Sequence, residues 1–116
     1  MNQRFEDLEV WKKSFHLSVE IFKAFKDCKD YGFRDQISRA SLSIPSNIAE
    51  GYERDSNKDF MRFLYIAKGS SGELRAQLYI AIEIGYVKAE QGMRFVEQAK
   101  EISYMLYGLI SKRKTF

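Results

Sequence analysis

Few residues of this sequence carry side chains that could do catalysis or bind a metal. Its 116 residues include one histidine, His16, and one cysteine, Cys28. A structural zinc ion needs four ligands, mostly Cys and His, so these two residues cannot supply a site. The Glu-x-x-His motif of di-iron bundles is also missing, because Lys13 stands three positions before His16. We therefore expect no metal, no cofactor and no catalytic residue, and hence a protein that is not an enzyme.

A cluster of polar residues on two neighbouring helices is the best candidate for a binding site. Its members are Arg39, Ser43, Asn47, Glu50, Arg62 and Glu73. If the chain turns near Asp55, antiparallel helices place Arg39 level with Glu73. The same pairing places Glu50 level with Arg62, and opposite charges at one level favour an interhelical ion-pair network that fixes the register. The alternative is a polar pocket for a small ligand or an RNA phosphate, in which the two carboxylates could do acid–base chemistry.

Basic residues near both ends of the chain are candidates for contact with nucleic acid. They are Lys12, Lys13, Lys112, Arg113 and Lys114. The last three also suit the C-terminal end of a helix dipole, and a solvated helix face is the simplest interpretation of all five. The formal net charge is +3, from 19 basic and 16 acidic residues. Such a mixed surface permits nucleic-acid binding without requiring it, since dedicated binders carry a denser basic stripe.

Apolar residues that recur every three or four positions predict four amphipathic helices, at about 7–27, 33–53, 57–86 and 89–111. The predicted core stripe of the first helix consists of Leu8, Trp11, Phe15, Val19, Phe22 and Phe25. Pro45 lies inside the second helix, whose apolar stripe keeps its phase, so we expect a kink near Ser41 but no break in that helix. Short connections make neighbouring helices antiparallel. We predict one all-α domain over residues 1–116, an up-and-down antiparallel four-helix bundle.

The third helix has a second face that does not look like a solvent face. This face carries Tyr65, Gly69, Gly72, Ala76, Tyr79 and Ile80. Glycine inside a helix costs about 1 kcal/mol relative to alanine, and close approach of another helix is the usual compensation. We therefore predict an oligomer interface here; the alternative is that the fourth helix or a terminal segment covers the face. Gly69 and Gly72 also resemble a phosphate-clamping Gly-x-x-Gly loop, but that loop does not occur in the middle of a helix.

The composition is that of a globular protein, with 45% hydrophobic and 30% charged residues. Aromatic residues make up 15%, more than the interior of a small bundle can hold, which again favours a surface buried between subunits. No apolar run reaches the ~18 residues of a membrane-spanning helix, so we expect no membrane contact. A single cysteine favours a reducing compartment, and no signal-peptide pattern is present, so we expect a cytoplasmic protein.

Several segments of the chain together resemble a known family. The most distinctive is Ser43-Ile44-Pro45-Ser46-Asn47-Ile48-Ala49-Glu50-Gly51. The others are Phe5-Glu6-Asp7-Leu8-Glu9-Val10-Trp11, Arg39-Ala40, Phe63-Leu64 and Ala67-Lys68-Gly69-Ser70. Over nearly its whole length the chain resembles the bacterial four-helix bundle family of ribosomal-RNA intervening-sequence proteins.

The resemblance implies mostly structural properties. Members of the family are four-helix bundles that assemble as ring-like homopentamers, and some are encoded within insertions in the large-subunit ribosomal RNA gene. A related accessory protein of diversity-generating retroelements is a basic pentamer that associates with nucleic acid and a reverse transcriptase. The family has no established enzymatic activity.

Three functions therefore stay open at the level of the sequence. The first is a homo-oligomer that contacts RNA or a nucleoprotein, whose binding would weaken steeply with salt. The second is an oligomeric scaffold that binds only proteins through an apolar face, with little dependence on salt. The third is a small-ligand binder or enzyme that uses Arg39, Asn47, Glu50 and Glu73.

Overall fold

Four helices and a short lead-in turn make up the protein. The computed structural model describes residues 3–116. A 3₁₀ turn at Phe5–Asp7 precedes the helices, which are α1 (Glu9–Phe25), α2 (Tyr31–Tyr52), α3 (Asn57–Glu83) and α4 (Ala89–Arg113). The described chain contains no strand. The predicted all-α class is confirmed, and the helix bounds differ from the predicted ones by a few residues.

Local signals set where the helices begin and end. Asp30 precedes α2 and its carboxylate accepts a hydrogen bond from Phe33 N at 3.1 Å. Ser56 caps α3, since its hydroxyl accepts a hydrogen bond from Asp59 N at 3.1 Å. Gly85 follows α3 with φ of 81°, a left-handed conformation that glycine adopts without steric cost. These residues keep the connections short and so enforce antiparallel neighbours.

The helices close into a bundle with up-and-down order. Each helix packs against the next one in the chain, and α1 packs against α4. The bundle measures 45 × 22 × 20 Å, and its length follows from α3, because 27 residues span about 40 Å at 1.5 Å per residue. α2 continues through Pro45, as predicted.

Pairs of serine hydroxyls join the helices where they approach closely. The contacts are Ser18 with Ser41 between α1 and α2, at 3.1 Å, Ser43 with Ser70 between α2 and α3, at 2.8 Å, and Ser103 with Ser71 between α3 and α4, at 3.0 Å. Each hydroxyl satisfies another inside or beside an apolar core of Ile, Leu, Val and Phe side chains. The serines therefore allow short interhelical distances without leaving buried polar groups unpaired.

Two glycines serve the same purpose. A Cβ added at Gly51 on α2 would lie 2.5 Å from Phe63 Cβ and 3.3 Å from the Phe60 carbonyl oxygen on α3. A Cβ added at Gly92 on α4 would clash with the Ile82 side chain on α3. Both glycines thus let a neighbouring helix pack at a distance that no larger residue permits.

α1 buries only part of the predicted stripe: Phe25 is buried, and Leu8 and Trp11 are partly buried against the core. Phe15 and Phe22 are 43% and 45% exposed, and Val19 is also exposed. The buried positions are Val10, Ser14, Leu17, Ser18, Ile21 and Phe25. The prediction was wrong for Phe15, Val19 and Phe22, because α1 carries two apolar stripes and two serines interrupt the one that faces the core. Ser18 belongs to the core side because it pairs with Ser41 at the α1–α2 contact.

Candidate interaction surfaces

The polar cluster predicted from the sequence divides into a packed part and an exposed part. Asn47 Nδ2 donates to the Ser43 carbonyl oxygen and to Ser43 Oγ, at 2.8 Å each. Ser43 Oγ also contacts Ser70 Oγ on α3 at 2.8 Å. The Ser43–Ser70 contact joins α2 to α3, whereas the Asn47 contacts lie within α2.

The charged members of the cluster lie outside that contact. Glu50 pairs with Arg54 at 2.8 Å, and Arg62 pairs with Asp59 at 3.8 Å, each one helical turn away. Arg39 and Glu73 are exposed. Within residues 3–116 neither of the predicted cross-helix ion pairs forms, so that prediction was wrong. Partners on the same helix are near at little entropic cost, whereas the middle of the α2–α3 contact is occupied by serines.

The predicted basic residues are mostly engaged with other side chains. Lys12 pairs with Glu9 at 3.1 Å, and Lys13 on α1 pairs with Glu101 on α4 at 2.9 Å. The Arg113 guanidinium lies 4.9 Å from the centre of the Phe60 ring and 4.6 Å from that of Phe116. Arg113 also donates to Asn57 Oδ1 at 3.4 Å.

Two of the predicted basic residues are exposed and unpaired among the described residues. Lys112 and Lys114 are exposed at the end of α4 and form no ion pair with any described residue. Their contact with nucleic acid stays a prediction, as does that of the other three.

The second face of α3 is open in the described chain. Tyr65, Tyr79 and Ile80 are exposed, and an added Cβ at Gly69 or Gly72 would meet no atom within 4 Å. Neither α4 nor a described terminal segment covers this face, so that alternative is wrong for residues 3–116. We define the α3 face as Tyr65, Ile66, Gly69, Gly72, Ala76, Tyr79, Ile80 and Ile84. Ile66 and Ile84 were missed by the sequence prediction, although both are exposed and apolar.

A second apolar face lies on α1 and α2. We define the α1–α2 face as Phe15, Val19, Phe22 and Leu42, all exposed. The Trp11 and Phe15 rings stack with centroids 5.2 Å apart. Sequence reasoning missed this face because it assigned the three α1 residues to the core. The available signal was that α1 is apolar on two sides, more than one core contact can bury.

A basic and aromatic groove runs between α3 and α4. We call it the α3–α4 groove, and its volume is about 380 Å³. Its lining residues are Lys68, Gly72, Arg75, Lys100, Ser103, Tyr104 and Tyr107. Tyr104 and Tyr107 are 77% and 61% exposed. The sequence analysis did not bring these residues together, because they belong to two helices.

The described chain has little that could act as a catalytic or metal centre. Residues 3–116 contain no group of three or more His, Cys, Asp and Glu residues placed to hold a metal ion. His16 is exposed, with its ring 5.3 Å from that of Phe15. The Cys28 thiol lies 3.8 Å from the Asp30 carbonyl oxygen.

Asp30 joins the two connections at one end of the bundle. Its carboxylate accepts hydrogen bonds from Phe33 N at 3.1 Å and from the Tyr86 hydroxyl at 2.8 Å. The first bond, supported by the second, lowers the pKa of Asp30, because both stabilise the charged form. The same contact with Asp30 raises the pKa of Tyr86. This arrangement is structural, since it ties the start of α2 to the turn after α3.

The match to a known family covers most of the chain. Residues 6–108 match the family described as 23S rRNA-intervening sequence protein. The chain belongs to this family. The resemblance predicted from the run Ser43–Gly51 and its companion segments is therefore confirmed.

A solved structure of an S23 ribosomal protein family member has a similar fold. It is a crystal structure of a protein with unknown function from Bacteroides thetaiotaomicron. The two sequences are 30% identical, the TM-score is 0.83, and the match covers 87% of this chain and 97% of that chain. Among curated proteins none matches this chain. Neither the family nor the crystal structure indicates an enzyme family. No helix in the described part of the chain has the length and apolar character needed to cross a membrane.

Proposed function

We propose that this 23S rRNA-intervening sequence protein is a non-catalytic homo-oligomer that binds RNA or a nucleoprotein. The observation that carries the proposal is the presence of two unlike apolar faces on one subunit. The α3 face is open above its glycines, and the α1–α2 face carries exposed phenylalanines. Exposed apolar patches of this kind mark interaction sites in small proteins.

Bulky side chains on one face and glycines on the other suit a contact between the two faces. Phe15 and Phe22 provide bulky side chains on the α1–α2 face, and Gly69 and Gly72 leave room for such side chains on the α3 face. A contact between two unlike faces is head-to-tail, and it generates a ring when the rotation closes. The ring of five subunits is taken from the family resemblance, and the two faces supply a physical means of forming it.

The energetics favour burial of both faces. Full burial of a Phe or Ile side chain contributes about 1.5–3 kcal/mol. Gly69 and Gly72 each cost about 1 kcal/mol relative to alanine in a helix, and no contact within the subunit requires them. Assembly would offset this cost, because a neighbouring subunit would pack against the helix at these glycines.

RNA is supported as a partner by charge and by family. The chain has a net charge of +3, and the family is described by its link to a 23S rRNA intervening sequence. A scaffold that binds only proteins is the second candidate, and the same apolar faces favour it. The polar cluster gives a small-ligand site little support, because Arg39 and Glu73 are exposed and apart from the Ser43–Asn47 contact.

The test measures the mass in solution of wild type and of two single variants, one on each face. Gly69→Leu and Phe22→Asp should each reduce the oligomer to monomers or small species while circular dichroism stays helical. Gly32→Leu is the matched control, because it makes the same substitution at an exposed site at the start of α2. A monomeric wild type, or unchanged mass in both face variants, would refute the assembly.

A further inference from the structure

We propose that the α3–α4 groove binds single-stranded RNA, with bases stacked on Tyr104 and Tyr107 and phosphates held by Lys68, Arg75 and Lys100. This inference rests on the proposed function in taking RNA as the partner. It assigns that partner to a surface that none of the predicted basic residues lines.

The tyrosines are placed to act as stacking platforms. They lie three residues, or about one turn, apart on α4, and their side chains are 77% and 61% exposed. Neither ring stacks on another aromatic residue of the described chain. An exposed ring of this kind can receive a nucleobase, and stacking on an aromatic side chain suits any base because every base has a π-face.

The cations are placed around those rings. Lys68 and Arg75 lie on α3, seven residues and hence about 10 Å apart along the helix axis, and Lys100 faces them from α4. Lys100 pairs with Glu97 at 3.4 Å, whereas Lys68 and Arg75 form no ion pair with the described residues. No acidic side chain is among the residues that line the groove. Its charge therefore suits a phosphate backbone.

Gly72 keeps the groove open. It lies between Lys68 and Arg75 on α3, and an added Cβ there would meet no atom within 4 Å. A larger side chain at this position would occupy space in the groove without a clash in the subunit. This gives Gly72 a role that is separate from helix packing.

The cations of the groove and most of the α3 face lie on different sides of α3. At 100° per residue, Gly69 and Ile80 lie on one side of Gly72, whereas Lys68 and Arg75 lie on the other. The first side turns toward α2 and the second toward α4. Subunit contact and RNA binding thus use adjacent sides of α3 that share Gly72 at their border.

Single strands fit better than duplexes. The bases of a double helix are stacked inside it, so exposed tyrosine rings gain contacts only with unpaired bases. Duplex RNA would use the cations alone. We therefore expect an unstructured oligonucleotide to bind more tightly than a hairpin of the same length.

The experiment measures binding of a fluorescent single-stranded oligoadenylate to the full chain over a series of salt concentrations. The triple variant Lys68→Gln, Arg75→Gln, Lys100→Gln should bind at least tenfold more weakly. Its plot of log affinity against log salt should flatten by about 2, because each lost phosphate contact on a single strand contributes about 0.7. Tyr104→Ala with Tyr107→Ala should weaken binding at least fivefold with an unchanged salt slope, since stacking releases no counterions.

A charge-matched control separates the groove from general electrostatics. The variant Lys29→Gln, Lys58→Gln, Lys88→Gln removes the same charge from exposed positions near the ends of the bundle. It should bind nearly as tightly as wild type. Equal losses in both triple variants would overturn the groove assignment, as would wild-type affinity in the tyrosine variant.

Two further outcomes distinguish this inference from the proposed function. If wild type binds no RNA even at low salt, both the groove assignment and the RNA part of the proposed function fail. If wild type binds RNA and the groove variants bind it with the same affinity, the groove assignment alone fails. Oligomer mass is recorded for each variant, and a changed mass in the tyrosine variant would assign the groove to a subunit contact instead.

Discussion

The glycines at the helix contacts are closely surrounded by other atoms, whereas the glycines on the α3 face are not. Gly51 and Gly92 lie where an added Cβ would collide with a neighbouring helix, whereas Gly69 and Gly72 face open space. α1 repeats the contrast, because its serines are buried and two of its phenylalanines are exposed. Contacts within one subunit therefore account for the small residues at its helix contacts. They do not account for the glycines and phenylalanines on its exposed faces. This difference is the physical reason for expecting a second copy of the chain.

The largest difference in the effect of substitutions on stability is expected between a buried and an exposed residue that are adjacent in α1. Ile21 is fully buried, and Phe22 is nearly half exposed. Ile21→Ala should lower the free energy of unfolding by about 2–5 kcal/mol, because it leaves a cavity in the core. Phe22→Ala should change the stability of the isolated subunit much less but weaken its assembly. Urea denaturation and solution mass measure the two effects, and equal destabilisation by both substitutions would contradict the exposed placement of Phe22.

The next effect concerns a glycine at a helix contact. Gly51→Ala should lower the free energy of unfolding by about 1–3 kcal/mol, because its Cβ would approach Phe63 Cβ and the Phe60 carbonyl oxygen. Thermal and chemical denaturation measure the change. A stability equal to or above that of wild type would show that α2 and α3 are less closely packed than we describe.

The same substitution on the α3 face should have the opposite sign. Gly72→Ala should raise the helical stability of the subunit by up to about 1 kcal/mol, since alanine has the higher helix propensity and its Cβ meets no atom. The comparison is made at a protein concentration where both forms are dissociated, so that assembly does not enter. A destabilised monomer would reveal a contact within the subunit at Gly72.

The smallest effect is expected at the end of the bundle, away from both environments. Hydrogen bonds from Phe33 N and Tyr86 keep the pKa of Asp30 below its ordinary value of 3.8. The unfolded chain therefore binds this proton at a higher pH than the folded chain does. The stabilisation is present above about pH 4 and is lost as the pH falls through the lowered pKa.

Tyr86→Phe tests that contribution. It removes one of the two hydrogen bonds to Asp30, so the acid-side loss of stability should become slightly shallower while stability near neutral pH changes little. Asp30→Asn is the companion variant, and it should remove the contribution of this carboxylate altogether. Identical pH profiles for wild type and Asp30→Asn would contradict the lowered pKa.

The sequence alone predicted the elements of the fold well. Apolar spacing and caps such as Ser56 are local features, and the intrahelical bonds that they favour form within a few residues. The absence of a break at Pro45 could be predicted as well, because the apolar spacing keeps its phase across that residue. Family membership could also be predicted, because the run from Ser43 to Gly51 is carried by the sequence itself.

The predictions that were wrong depend on which side of each helix faces its neighbours. The sequence placed Arg39 opposite Glu73, but Ser43 and Ser70 occupy the middle of that contact and Glu50 and Arg62 bind partners on their own helices. No periodicity could decide between the two stripes of α1, since both are apolar.

What the sequence determined by itself is the set of four helices, their antiparallel order and the unusual composition of the α3 face. Only the tertiary structure decided which side of α1 turns inward, which charged residues pair, and that Lys68, Arg75, Lys100, Tyr104 and Tyr107 share one groove. Helix formation depends on hydrogen bonds between residues four apart, so it can be read along the chain. The rotation of each helix depends on close packing against residues far away in sequence, so it is settled only when all four helices are together.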